Sequence, residues 1–144
     1  PSSSKIFAAN FKFIFLSVYK LFMLKKSCTI QEPFSANGMY APVARGKMVK
    51  SKKYISWIEK NIPIVKENLL PATSFPIEIE ILILADYKWK MKSDPDNIIK
   101  PIVDLLVRSE IIPDDTSRFV ESVKVRYLQG FGSPVTAISY SVVD

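Results

Sequence analysis

The chain has 144 residues, 48% of them hydrophobic and 24% charged, which is the size and composition of one globular domain and excludes a disordered chain or a second core. Lys and Arg number 20 against 14 Asp and Glu, so the net charge of +6 favours polyanionic partners. With no histidine and one cysteine, Cys28, the chain lacks an intramolecular disulfide, the usual zinc ligands and any imidazole base, and an intracellular, cytoplasmic setting is expected.

The first apolar run, Ile6 to Leu24, reads IFAANFKFIFLSVYKLFML. Lys12 and Lys20 argue against a membrane span, since each lysine near a bilayer centre costs about 2.5 to 3.5 kcal/mol on insertion scales. No small-residue cleavage site follows an unbroken apolar core, so a cleaved signal peptide is not expected either. At helical spacing Lys5, Lys12 and Lys20 share one stripe, which suits an amphipathic helix packed on this protein or a partner. An interfacial membrane helix, or a natural start at Met23, are the other readings of this segment. Residues 1–25 are therefore taken as an N-terminal extension and residues 26–144 as the functional domain.

Lys26 to Glu32 reads as a first strand, and Pro33 to Pro42 supplies turn signals, including Asn37-Gly38. Arg45, Lys47, Lys50, Lys52 and Lys53 then place five cations in nine residues. Tyr54, Ile55, Trp57, Ile58, Ile62 and Val65 follow at helical spacing, predicting a helix from about Ser51 to Leu69 with Pro63 as a kink. Phe75 to Leu84 alternates and then becomes continuously apolar, which predicts a central strand exposed at one end and buried at the other. Ile98, Ile99, Ile102, Val103, Leu105 and Leu106 predict a helix from about Asn97 to Ser109. Phe119 to Leu128 and Val135 to Val143 are strands that Gly130, Gly132 and Pro134 would allow to close as an antiparallel hairpin. The order predicts a single α+β domain, a mixed β-sheet with helices packed on it.

No GxxxxGK loop or GxGxxG turn occurs, so no nucleotide cofactor is expected. The informative stretch is Ser93 to Ser122, which holds seven of the 14 acidic residues. Asp94 precedes Pro95, which pushes it toward an extended backbone, where residues i and i+2 point the same way. Asp94 and Asp96 are thus expected to aim at one point, with Asp96 or Asn97 capping the next helix and Pro101 lying near its first turn. Lys100 and Asp104 follow at four-residue steps and extend the polar stripe. A chain that turns back through Pro113, Asp114 and Asp115 can return a carboxylate to the pair. Converging carboxylates repel one another unless a divalent cation joins them, and hard oxygen ligands suit magnesium. Such an ion with a nearby lysine supports phosphodiester hydrolysis. The plain alternative is a capped loop, a solvated Lys100–Asp104 pair and an acidic turn. A calcium loop of the EF-hand type is excluded by Ile99 where a glycine is needed.

Asp94-Pro-Asp96-Asn97-Ile-Ile-Lys100-Pro-Ile-Val-Asp104-Leu-Leu, followed by Ile-Ile-Pro-Asp114-Asp115, resembles the signature of the RusA family of Holliday junction resolvases. Pro33-Phe-Ser35-Ala-Asn37-Gly-Met-Tyr40 resembles that family's N-terminal element, so the likeness spans roughly residues 26–144, and the segment before Lys26 departs from it. The resemblance implies a RusA-like fold and a homodimeric, magnesium-dependent endodeoxyribonuclease that nicks four-way DNA junctions in recombination, repair or phage DNA processing, often encoded by a prophage. Manganese would substitute for magnesium. By the same resemblance Asp94, Asp96 and Asp115 hold the metal and Lys100 assists catalysis. Asn97, Asp104 and Asp114 are read as support. Beside such a signature, Arg45, Lys47, Lys50, Lys52, Lys53, Lys88, Lys90 and Lys92 become candidate DNA contacts. The competing readings are a nucleic-acid-binding protein that does not cut, and a membrane- or partner-associated protein acting through residues 6–24.

Overall fold

A computed structural model describes residues 26–144 of the chain; the Ile6 to Leu24 segment lies outside them. The elements run in the order β1 (Ser27–Ile30), β2 (Tyr40–Pro42), β3 (Met48–Lys50), α1 (Lys52–Asn68), β4 (Ile77–Ala85), α2 (Tyr87–Lys92), α3 (Asp96–Arg108), β5 (Val120–Gln129) and β6 (Val135–Val142). Single turns of 3-10 helix at Ala36–Gly38 and Ala44–Gly46 lie on either side of β2.

β4 is the central strand of a four-stranded mixed sheet ordered β1-β6-β4-β5. It pairs parallel with β5 and antiparallel with β6, which pairs antiparallel with β1. The domain is therefore α+β, as composition and element order predict.

Two strand expectations change. β5 and β6 do not form a hairpin, because β4 lies between them with a ladder on each side. The connection crosses the end of β4 at Gly130, whose N–H donates to the Ala85 carbonyl at 2.9 Å. A Cβ at Gly130 would lie 3.0 Å from the Ala85 nitrogen and the Leu84 carbonyl carbon, tight enough that the β4 backbone would have to give way, so this close crossing favours glycine. β4 also keeps its alternation to the end: Ile77, Ile79, Ile81, Ile83 and Ala85 are buried, whereas Leu84 is exposed. Its apolar run reflects one packed face and one open face, not burial on both.

The packed face carries the core. Cys28, Ile30 and Ile138 join the β4 isoleucines beneath Tyr54, Ile58 and Val65 of α1 and Ile98, Ile102, Leu105 and Leu106 of α3. Each such side chain contributes about 1.5 to 3 kcal/mol of transfer free energy when fully buried. Burial of the Cys28 thiol pushes its pKa up to about 11, so it serves as a packing residue and not as a nucleophile.

α1 starts where the sequence places it. The Ser51 hydroxyl accepts from the Tyr54 amide at 3.1 Å and donates to the Gly38 carbonyl at 2.5 Å, tying the helix start to the preceding loop. The basic segment before it is not a plain loop. β2 and β3 pair as an antiparallel ribbon whose tip is Arg45, Gly46 and Lys47, and Arg45 adopts a left-handed backbone with φ of 68°.

Candidate active site

The candidate residues lie on the crossover between the parallel strands β4 and β5. Asp86 ends β4 and caps α2 by accepting from the Trp89 amide at 2.8 Å. α2 was not foreseen in the sequence, where Lys88 to Lys92 reads as a connection. Its six residues carry Lys88, Lys90 and Lys92 to the entry of α3.

Asp94 is not the first of an extended pair. Pro95 has helical backbone angles, φ −53° and ψ −39°, and α3 already begins at Asp96. With the chain turning there, the alternation that would aim Asp94 and Asp96 at one point is lost. Neither Asp96 nor Asn97 caps the helix. Instead Asp94 Oδ1 accepts from the Asp96 amide at 3.2 Å, and the Asp94 carbonyl accepts from the Asn97 amide at 3.0 Å. Because α3 starts at Asp96, Pro101 sits in the helix interior and not in its first turn, leaving the Asn97 carbonyl without an i+4 amide.

What converges is Asp96, Lys100 and Asp115. These three rim a hollow of about 280 Å³ floored by Ile99, Val103, Val120 and Val123. One helical turn brings Asp96 and Lys100 to the same side of α3. Asp115 arrives from the far end of the crossover: α3 ends through Glu110, whose φ of 62° reverses the chain, and Asp114 then accepts from the Asp115 amide at 2.8 Å. Lys100 Nζ donates to Asp115 Oδ2 at 3.0 Å. This hydrogen bond holds the Asp115 carboxyl below the usual carboxylate range and raises the Lys100 ammonium above its ordinary value. Both are ionised across neutral pH.

Asp94 opens instead onto a neighbouring cavity that it shares with Asn97, Trp57 and Trp89. Its charge reaches Tyr127 of β5. Burial first, and the Asp94 charge second, raise the pKa of Tyr127, whose hydroxyl has no hydrogen-bond partner among the described residues.

Asp104 is a structural support of a kind the sequence conceals. The buried Tyr54 hydroxyl donates to Asp104 Oδ2, so the carboxylate ties α1 to α3 rather than pairing with Lys100. Burial, then the bond to Asp104, push the Tyr54 phenol far up. Tyr54→Phe should therefore destabilise the fold by about 1 to 3 kcal/mol, read from urea unfolding, since the carboxylate loses its donor. A loss below about 0.5 kcal/mol would show that water replaces the phenol without penalty.

The donor set suits a hard cation in part. Magnesium takes few protein carboxylates and keeps several waters, which two aspartates on one rim satisfy. No cluster of three or more Asp, Glu or Cys side chains suited to hold a metal ion is found among the described residues. The candidate cations lie on separate elements: Arg45 and Lys47 at the ribbon tip, Lys50 in β3, Lys52 and Lys53 at the start of α1, and Lys88, Lys90 and Lys92 on α2, with Lys53 and Lys92 lining the cavity that holds Asp94. The ion pairs among the described residues are Lys66–Glu110 and Lys100–Asp115, so none of these eight is neutralised by a described carboxylate. No described helix is long and apolar enough to cross a membrane.

Neither a protein-family model nor a curated protein matches the chain.

Proposed function

We propose that the chain is a magnesium-dependent endodeoxyribonuclease that cuts four-way DNA junctions, acting as a homodimer in the manner its RusA-like sequence implies. The observation that carries this reading is the hollow in which Asp96, Lys100 and Asp115 meet. A protein that only bound phosphates would gain nothing from carboxylates that repel them.

Asp96 and Asp115 would hold the ion; Asp94 enters as a third ligand only through what the resemblance implies, since its carboxylate opens on the neighbouring cavity. Magnesium supplies an activated water and neutralises charge on the leaving oxygen. The chain's own residues do the rest. Lys100 is a cation at neutral pH and offers its ammonium to charge that develops on the phosphate. Asp115 keeps that ammonium aimed across the hollow. The exposed lysines and Arg45 attract the backbone on both sides and set its path.

Cleavage of a labelled four-way junction in magnesium or manganese, with little action on linear duplex, is the expected result. No cutting in either ion would sink the proposal. Binding, measured in EDTA, should weaken so that the logarithm of affinity falls linearly with that of salt concentration, because each lysine contact releases counterions. Two opposed nicks need two sites, and this chain carries one, so a dimer is expected in solution.

A further inference from the structure

A second cavity, lined by residues next in sequence to those of the candidate site, is built from different chemistry. Its volume is about 710 Å³, within the range of about 300 to 1,000 Å³ usual for ligand pockets. It lies between the Pro33–Gly38 segment, the start of α1, α2 and the first turn of α3. Trp57 and Trp89 are among its walls, Lys53 and Lys92 stand at its margin, and Asp94, Asn97 and Ile98 in its lining interleave along the chain with Asp96, Ile99 and Lys100 of the smaller hollow.

The two indoles are held by one residue. Trp57 Nε1 donates to the Glu32 backbone carbonyl at 3.0 Å, and Trp89 Nε1 donates to the Glu32 carboxylate at 3.2 Å. Both rings are further fixed by aromatic neighbours, Trp57 by Phe34 at 5.8 Å and Trp89 by Tyr127 at 6.1 Å between centroids. Yet both indoles stay only half-buried, and each leaves part of its surface on the cavity. Ring surface left wet and rigid costs hydrophobic free energy that packing deeper would recover, and a planar ligand recovers it by stacking. Two lysines beside the rings, without an ion-pair partner among the described residues, suit a ligand whose flat ring is attached to phosphate.

We propose that this cavity seats one unstacked nucleobase of the DNA strand whose phosphodiester lies at the Asp96–Lys100–Asp115 hollow. Lys53 and Lys92 take the phosphates flanking that nucleotide. This inference rests on the nuclease reading for the position of the strand, and not for the stacking itself. Stacking is interrupted at a branch point, so unstacking a base costs less there than inside a continuous duplex, and a stacking cavity near the cleavage site favours branched over linear substrate. Contact is with the ring face, which every base possesses, so all four bases are admitted.

The whole chain contains two tryptophans, Trp57 and Trp89, and both line this cavity, so its intrinsic indole emission reports on a ligand stacked there. The test titrates the full chain, in EDTA so that nothing is cut, with a single-stranded tetrathymidylate and with the abasic tetramer of the same backbone. Tetrathymidylate should quench the emission in a saturable way. The abasic strand should leave it unchanged and bind about ten-fold more weakly or worse, in keeping with base–aromatic stacking. Trp89→Leu should remove that advantage of tetrathymidylate over the abasic strand, while Lys92→Ala should weaken both strands alike. Equal binding of the two strands without quenching would overturn the proposal, as would no binding of either; neither result needs a variant that folds. Junction cleavage without quenching leaves the nuclease reading standing and removes the base cavity. Quenching without cleavage does the reverse.

Discussion

Asp96→Asn and Asp115→Asn should each lower junction cleavage about a thousand-fold, equivalent to about 4 kcal/mol of transition-state stabilisation, while junction binding is kept or tightened. The direction follows from charge. Each substitution keeps the side chain's size, removes a negative charge that repels the phosphate and replaces a hard ligand by a poorer amide. Asp94→Asn joins them where the ligand set is the one the resemblance implies; because its carboxylate opens on the neighbouring cavity, a mild effect would leave Asp96 and Asp115 as the protein ligands. Folding should survive in all three, because asparagine can still accept the Asp96 amide at position 94 and the Lys100 ammonium at position 115. Asp104→Asn and Asp114→Asn are the controls and should be milder: one accepts from Tyr54 and the other from the Asp115 amide, roles an amide oxygen retains. An essential Asp114 beside a dispensable Asp115 would move the ligand by one residue. Near-normal cleavage in all three primary variants would end the catalytic assignment. Failure of metal to bind more weakly in the variants would remove the ligand roles separately.

The amphipathic elements were legible because their periodicity records which side is packed. Ser51 before a helical pattern, and β-branched residues at every second place from Ile77 to Ile83, are local signals that the tertiary structure obeys. What escaped was decided between distant residues. Nothing in Gly130 to Pro134 says whether a partner strand will insert; that depends on β4 offering two free edges, which is a property of the whole sheet. The ribbon of β2 and β3 escaped because it pairs three residues with three, too short for alternation to be read.

The site divides the same way. Lys100 beside Asp96 follows from helical spacing, and Asp115 was placed with them by resemblance together with the turn that returns the chain. The relation between Asp94 and Asp96 was misread because one proline carries two opposing signals. It disfavours helix for the residue before it, and its own φ suits a helix start. Here the second effect governs Pro95, and the aspartate before it becomes the acceptor for the first helical amide. Tyr54 and the two tryptophans look like core aromatics at helical spacing or in a basic connection. Their partners, Asp104 and Glu32, lie 50 and 25 or 57 residues away, beyond any local pattern.

Lys100→Ala should lower kcat about a hundred-fold or more, with junction affinity changed little and the carboxylates still able to bind metal. Lys100→Arg decides the role. A lysine can act on a phosphate either as a cation or, if deprotonated, as a base, and the structure bears on which. Its side chain is 57% exposed, so burial does little to disfavour the ammonium, and the bond to Asp115 raises its pKa. The sign is then fixed: the charge is present below the raised value and is lost only as pH climbs through it. Asp115 is the mirror case, ionised above its lowered value and neutralised only as pH falls through it. The pair is intact through the neutral range, and the wild-type rate should show no alkaline rise from Lys100 losing its proton. Arginine keeps the cation over the same range and cannot serve as a base, so Lys100→Arg should retain a measurable part of the activity that Lys100→Ala loses. If the arginine variant is as inactive as alanine while junction and metal binding are normal, and the wild-type rate climbs with pH toward the lysine's own titration, Lys100 works as a base and the electrostatic role assigned to it is wrong.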